Sequence, residues 1–275
     1  LGQAVQVFAL CVSPACCEID AVRRAFALID RYNREILKYP EWVLPCNRYS
    51  DVQDALRRGK VAALLSIEGG EALAGGVEAL RIYERLGVRS LCLTHNARNE
   101  LGDGVAFSET GGGLTPFGKE VVREMNRLDM LVDVSHLSEA GFWDVLETTS
   151  QPVIASHSNA KALCANQRNL TDEQLRAIRD NGGVVGINYY PAFLTDDGKA
   201  TQEDILAHIR YMASLIGCDH IGLGSDFDGI PTWPADVADV TAVEGIINAL
   251  ARHFSPKETE QIAGGNFMRL MRGQS

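Results

Sequence analysis

The sequence predicts an α/β protein of the (β/α)8 TIM-like barrel class, and two observations carry that prediction. Apolar strand-like runs alternate with helical segments along the whole chain, and several runs end on a side chain able to bind metal or move a proton. The runs fall at 4–11, 61–67, 90–93, 131–134, 153–155, 184–188 and 221–224, which makes seven parallel strands. Between them, Thr115-Pro116 starts one helix and Ser138 caps another, because a hydroxyl can accept the unpaired N–H groups of a first turn. Thr171 with Gln174 forms a capping box, Asn181-Gly182-Gly183 closes that helix through a left-handed residue, and Ser255-Pro256-Lys257-Glu258 opens a late helix.

Alternation of this kind also suits a doubly wound open sheet. Functional groups at the ends of five strands spread along the chain favour the barrel, since an open sheet gathers its ligands at one switch point. A barrel needs eight strands. The first residues already read as strand, so the expectation is that the first barrel strand is absent from this chain and precedes Leu1. The edges of the strand from Ala4 and of the strand near Ile221 are then expected to stay open, or to be covered by a substitute strand such as one from a neighbouring subunit.

One domain over residues 1–275 is expected, because no Ser/Pro-rich spacer, low-complexity tract or long charge block interrupts the chain. Its 46% hydrophobic content suffices for a large core, and no apolar run approaches the roughly 18 residues of a membrane helix. A net charge of −10 argues against nucleic acid and anionic membranes as partners and suits small neutral or zwitterionic substrates. The seven cysteines are scattered without a Cys-x-x-Cys pair, which predicts buried or free thiols in a reducing cytoplasm. The N-terminus lacks the basic region and cleavage site of a signal peptide.

The chemistry-bearing residues sit at the strand ends. Ala62-Ala-Leu-Leu-Ser-Ile-Glu68 is followed by Gly69-Gly70, which let the backbone turn and bring a carboxylate to the mouth, where it can bridge two metals; a helix-start acid is the alternative. Leu131-Val-Asp-Val-Ser-His136 and Pro152-Val-Ile-Ala-Ser-His157 place two histidines in matching contexts 21 residues apart, about one βα unit. With Glu68 they make a zinc-type donor set. His95, in Ser90-Leu-Cys-Leu-Thr-His95, suits polarisation of a scissile carbonyl and stabilisation of its oxyanion, with a fourth metal ligand or a core histidine as alternatives. Asp226, in His220-Ile-Gly-Leu-Gly-Ser-Asp226-Phe-Asp228-Gly229, can hold a water and shuttle its proton, and the spaced oxygens of an EF-hand calcium loop are missing. Arg168 follows His157 by 11 residues and can clamp a carboxylate bidentately; a solvated surface arginine is the alternative. His208, His220 and His253 read as packing or surface residues, and Tyr189, Tyr190 and Phe193 as candidates to line a side-chain pocket.

Taken together, Ser-Ile-Glu68-Gly-Gly, Leu-Thr-His95-Asn, Asp-Val-Ser-His136-Leu-Ser, Ala-Ser-His157-Ser-Asn-Ala, Arg168-Asn and Gly-Ser-Asp226-Phe-Asp-Gly resemble the membrane (renal) dipeptidase family of metallopeptidases over nearly the whole chain. The resemblance implies an amidohydrolase-type barrel with two zinc ions that hydrolyses dipeptides, often with a D-residue at the carboxyl end. It assigns metal binding to Glu68, His136 and His157, acid/base catalysis to Asp226, and substrate contact to His95, Arg168 and Asp226. The family's first strand supplies a His-x-Asp pair to one zinc; no such pair occurs near the start here, so the chain is expected to be truncated relative to the family and to keep one of the two ions. Secreted relatives form a disulfide at the position of Cys164, for which this sequence shows no partner. The expected partners are a small dipeptide and, for assembly, a second copy of the chain. The rivals are another amidohydrolase, such as a deaminase or lactonase, and a barrel that binds substrate without turnover.

Overall fold

A computed structural model of the chain describes residues 4–12 and 20–272. They group into two compact units, Leu1–Gln151 with Met271–Ser275, and Pro152–Leu270. Both are α/β with parallel strand pairing, as the sequence predicts.

The first unit runs β1 (Ala4–Cys11), α1 (Ala21–Ile36), β2 (Val43–Pro45), α2 (Tyr49–Arg57), β3 (Val61–Glu68), α3 (Val77–Arg85), β4 (Val88–Cys92), α4 (Pro116–Arg127), β5 (Leu131–Asp133) and α5 (Glu139–Thr148). β3 is its hub. β1 pairs along its full length, β2 pairs with Val61–Ala63 and β4 with its last four residues. The register brings Cys11 beside Glu68, Glu68 beside Cys92 and Cys92 beside Asp133, so all four carboxyl ends fall in one row. Parallel pairing forces this outcome, because each strand must return to the same end before the next begins. β3 and β4 are buried almost throughout, which explains their unbroken apolar runs.

β2 is not in the sequence prediction, since Val43-Leu44-Pro45 is too short to show a period. Within its unit β1 pairs only with β3 among the described residues, and Val5, Val7 and Phe8 are exposed, in keeping with an open edge. Thr115 accepts the Gly118 N–H at 3.0 Å and Ser138 accepts the Gly141 N–H at 3.1 Å, so both predicted caps form.

The second unit carries β6 (Ile154–Ala155), α6 (Asp172–Asp180), β7 (Val184–Ile187), α7 (Pro191–Leu194), α8 (Gln202–Ile216), β8 (Ile221–Leu223), α9 (Val243–Leu250) and α10 (Pro256–Glu260). β7 lies between β6 and β8, with Val185 in register with both Ala155 and Ile221. The Thr171–Gln174 and Ser255–Glu258 capping boxes are both present, and Gly182 closes α6 at φ +82°. Helix α8 buries Ile205, Ile209, Met212 and His208 on one stripe.

The cysteine expectation needs one correction. Cys46, Cys92, Cys164 and Cys218 are free thiols, but Cys11 is disulfide-bonded. A sequence without a spacing motif gives no signal of such a bond, because pairing depends on how closely the fold brings two Cβ atoms together. Cys16 and Cys17 lie outside the described residues. No helix among the described residues is long and apolar enough to cross a membrane.

Candidate active site

In the first unit the site begins where β3 ends. Glu68 is its last residue, and Gly69 comes next at φ +110°, a conformation that side chains rarely adopt. A Cβ on Gly70 would lie 2.3 Å from Leu101 Cδ1 and 2.6 Å from the Leu93 carbonyl oxygen, so this turn needs its second glycine for space. The chain then enters a short 3-10 turn, Gly70–Leu73, rather than an α-helix whose first turn Glu68 would serve.

His136 lies three residues beyond β5 and is almost fully buried. Its Nε2 is 2.9 Å from Glu68 Oε1, and its Nδ1 is 2.7 Å from Asn96 Oδ1. With Asn96 accepting from Nδ1–H, the Nε2 lone pair faces the carboxylate. Two such groups at this distance repel unless a proton or a cation joins them, which is the donor chemistry of a metal site with its outer partner in place. His136 adopts φ +67°, uncommon for a residue with a side chain. Its carbonyl accepts the Val105 N–H at 2.7 Å, and the neighbouring Ser138 N–H is accepted by the Asp103 carbonyl at 2.9 Å, so the loop after β4 holds this strained turn. Asp103 is anchored in turn by Arg98 and Thr110, and the Arg98 guanidinium holds its carboxyl below the usual range.

His95 stacks on His136, with ring centroids 4.4 Å apart and planes inclined by 26°. Cys11, Glu68 and His95 also approach one another, with candidate ligand atoms within 4.8 Å. A disulfide sulfur offers no thiolate, so this second cluster does not provide a cysteine donor in the state observed.

His157, Arg168 and Asp226 lie in the second unit. His157 lies two residues beyond β6, and its Nδ1 is 2.7 Å from Ser156 Oγ, a partner that can set the tautomer. Arg168 is buried to 8% exposure, which overturns the solvated alternative. It sits in a loop closed by the Ala160–Leu170 bridge, donates from Nη2 to the His157 carbonyl at 3.4 Å, and lies 5.6 Å from the Phe193 ring centroid. Asp226 lies three residues beyond β8 at φ +68° and accepts from Asn188 Nδ2 at 3.0 Å.

Tyr189 does not line a pocket. It is fully buried against Phe227, and burial pushes its phenol pKa up. Tyr190 and Phe193 pack edge to face at 4.8 Å beside Arg168, which keeps them as candidates for a substrate wall. His208 is a core residue, accepting the Ala160 N–H on Nδ1 and donating to the Leu194 carbonyl from Nε2; His220 meets the Gly183 carbonyl and exposed His253 meets Arg210. Asn96 and Asn188 escape a reading of the sequence. Their signal is position alone, directly after His95 and directly after a strand.

The membrane dipeptidase (Peptidase family M19) model matches residues 2–274. The chain is 38% identical over 260 residues to the dipeptidase aclJ of Aspergillus oryzae, a match that covers 92% of this chain and 62% of that protein. The chain thus spans about three fifths of that relative's length. Among solved structures it is similar to a metallopeptidase from Rhodobacter sphaeroides liganded with a phosphinate mimic of the dipeptide L-Ala-D-Ala, at TM-score 0.90 and 30% identity over 98% of this chain and 86% of that one. It is also similar to the dipeptidase AC, a metallopeptidase of family M19, at TM-score 0.91 and 32% identity with the same coverage. These likenesses agree with the barrel class predicted from the strand–helix alternation. The chain belongs to the membrane dipeptidase family, peptidase family M19.

Proposed function

We propose that the chain acts as a zinc-dependent dipeptidase, with Glu68, His136 and His157 as metal donors. The observation that carries this reading is the Glu68 carboxylate set 2.9 Å from His136 Nε2 while Asn96 occupies Nδ1, in a chain of a metallopeptidase family. One carboxylate and two imidazoles suit zinc better than the harder calcium or magnesium. A zinc ion held there supplies Lewis acidity for activating water and polarising a carbonyl.

The remaining roles belong to the chain's own groups. Asp226 takes the proton from the attacking water and returns it to the departing amine. His95 donates a hydrogen bond to the substrate carbonyl oxygen as negative charge develops. Arg168 clamps the free carboxylate of the dipeptide, beside the Tyr190–Phe193 pair. A dipeptide with a carboxyl-terminal D-residue is the preferred substrate class, supported by the L-Ala-D-Ala mimic bound to the Rhodobacter relative.

The test is amine release from L-Ala-D-Ala by the purified chain, before and after chelation and again after zinc is restored. Hydrolysis that chelation abolishes and zinc returns supports the reading. Hydrolysis indifferent to chelation, or none with zinc present, contradicts it.

A further inference from the structure

We propose that Asn188 is a positioning residue that fixes the orientation of Asp226; this rests on the dipeptidase reading, in which Asp226 moves the proton. Asn188 directly follows β7 and is completely buried. Its backbone is pinned by Asn159, whose Oδ1 accepts the Asn188 N–H at 3.1 Å and whose Nδ2 donates to the Asn188 carbonyl at 3.0 Å. Asn159 is itself fully buried and donates also to the Phe193 carbonyl at 3.2 Å.

The side-chain amide of Asn188 has one allowed orientation. The Tyr190 backbone N–H donates to Oδ1 at 2.6 Å, and because a backbone N–H can only donate, the atom facing it must be the amide oxygen. The amide nitrogen is thereby turned toward Asp226, where Nδ2 donates to Oδ2 at 3.0 Å. Oδ2 thus accepts from a neutral donor that cannot rotate away. The other oxygen, Oδ1, lies over Gly229, where an added Cβ would meet it, so the carboxylate is held from one side by Asn188 and given room on the other by a glycine. Asp226 keeps φ +68° through the same turn, in which the Gly229 N–H donates to the Asp226 carbonyl at 3.0 Å.

The discriminating variant is Asn188→Asp, which keeps an acceptor for the Tyr190 N–H and replaces only the donor aimed at Asp226. With L-Ala-D-Ala as substrate, its kcat should fall about 10- to 100-fold while KM moves less than about threefold, the pattern of a defect in the chemical step. In an Asp226→Asn background the same substitution should cost nothing further, because the residue it positions is already disabled. Asn188→Ala, which removes the donor without adding a charge, serves as the second variant, and a thermal melt confirms that each protein is folded. A kcat within about threefold of the parent in folded Asn188→Ala and Asn188→Asp, or equal losses in both backgrounds, overturns the inference and leaves the dipeptidase reading standing. A parent chain inactive on the dipeptide with zinc present overturns that reading, and this inference with it.

Discussion

Glu124 on α4 accepts from Arg81 of α3 at 2.5 Å and from Arg127 at 2.7 and 2.8 Å, tying together the helices that precede β4 and β5, the strands leading to His95 and His136. Hydrogen bonds from Arg127, then from Arg81, lower the Glu124 carboxyl from 4.5 to about 2. At about 1.4 kcal/mol per pH unit, that depression sets an upper bound of roughly 3 kcal/mol on what the ionised group adds to stability. Arg81 and Arg127 are 41% and 62% exposed, so solvent screening reduces the expectation to about 1–2 kcal/mol. Glu124→Gln should therefore lower stability by about 1–2 kcal/mol at pH 7, read as a shift in urea midpoint at unchanged slope. Because the folded-state value is depressed, the contribution is complete above pH 4.5 and disappears as pH falls toward 2. The gap between parent and variant should be constant from about pH 7 to 5 and narrow steadily below about 4.5. A gap below about 0.5 kcal/mol at pH 7, or one unchanged down to about pH 3.5, refutes this account of the clamp.

Gly229→Ala should cut kcat about tenfold or more with a small change in melting temperature, since its Cβ would meet Asp226 Oδ1 at 2.2 Å at an exposed turn; steady-state kinetics beside a melt decide it. Arg168→Lys should raise KM for a dipeptide about 10-fold with little loss of kcat, and an equal effect on a dipeptide amide would argue against a carboxylate clamp. Buried His208 has its pKa lowered by desolvation, so it favours folding above its unfolded value of about 6.5 and this benefit is lost as pH falls; His208→Gln should flatten the decline in stability below that pH, measured by urea titration.

Much of this is legible in the sequence because parallel strands convert order along the chain into position in space. Glu68, His95, His136, His157 and Asp226 can be selected without coordinates, since each lies at or within three residues of a strand's carboxyl end. The caps at Thr115, Ser138, Thr171 and Ser255 are equally readable, because a hydroxyl before an apolar helical period has one favourable use. What the sequence withholds depends on contacts between distant segments. Val43–Pro45 becomes a strand only through its pairing with β3, and Tyr189 is buried edge to face against Phe227. The hydrogen bonds of Asn96 to His136 and of Asn188 to Asp226 are hidden for the same reason, since sequence does not show which group an amide meets. The Cys11 disulfide escapes detection because spacing carries no information about which cysteines the fold brings within bonding distance.

The central claim is that Glu68, His136 and His157 hold a catalytic metal ion, and metal content per chain is its most direct measure. Elemental analysis of the chain after zinc loading and desalting should find zinc bound to the parent and lost, at least about tenfold weaker, in each of Glu68→Gln, His136→Ala and His157→Ala, provided melts show the variants folded. Zinc retained at parental stoichiometry and affinity in any folded variant of the three would contradict the assignment.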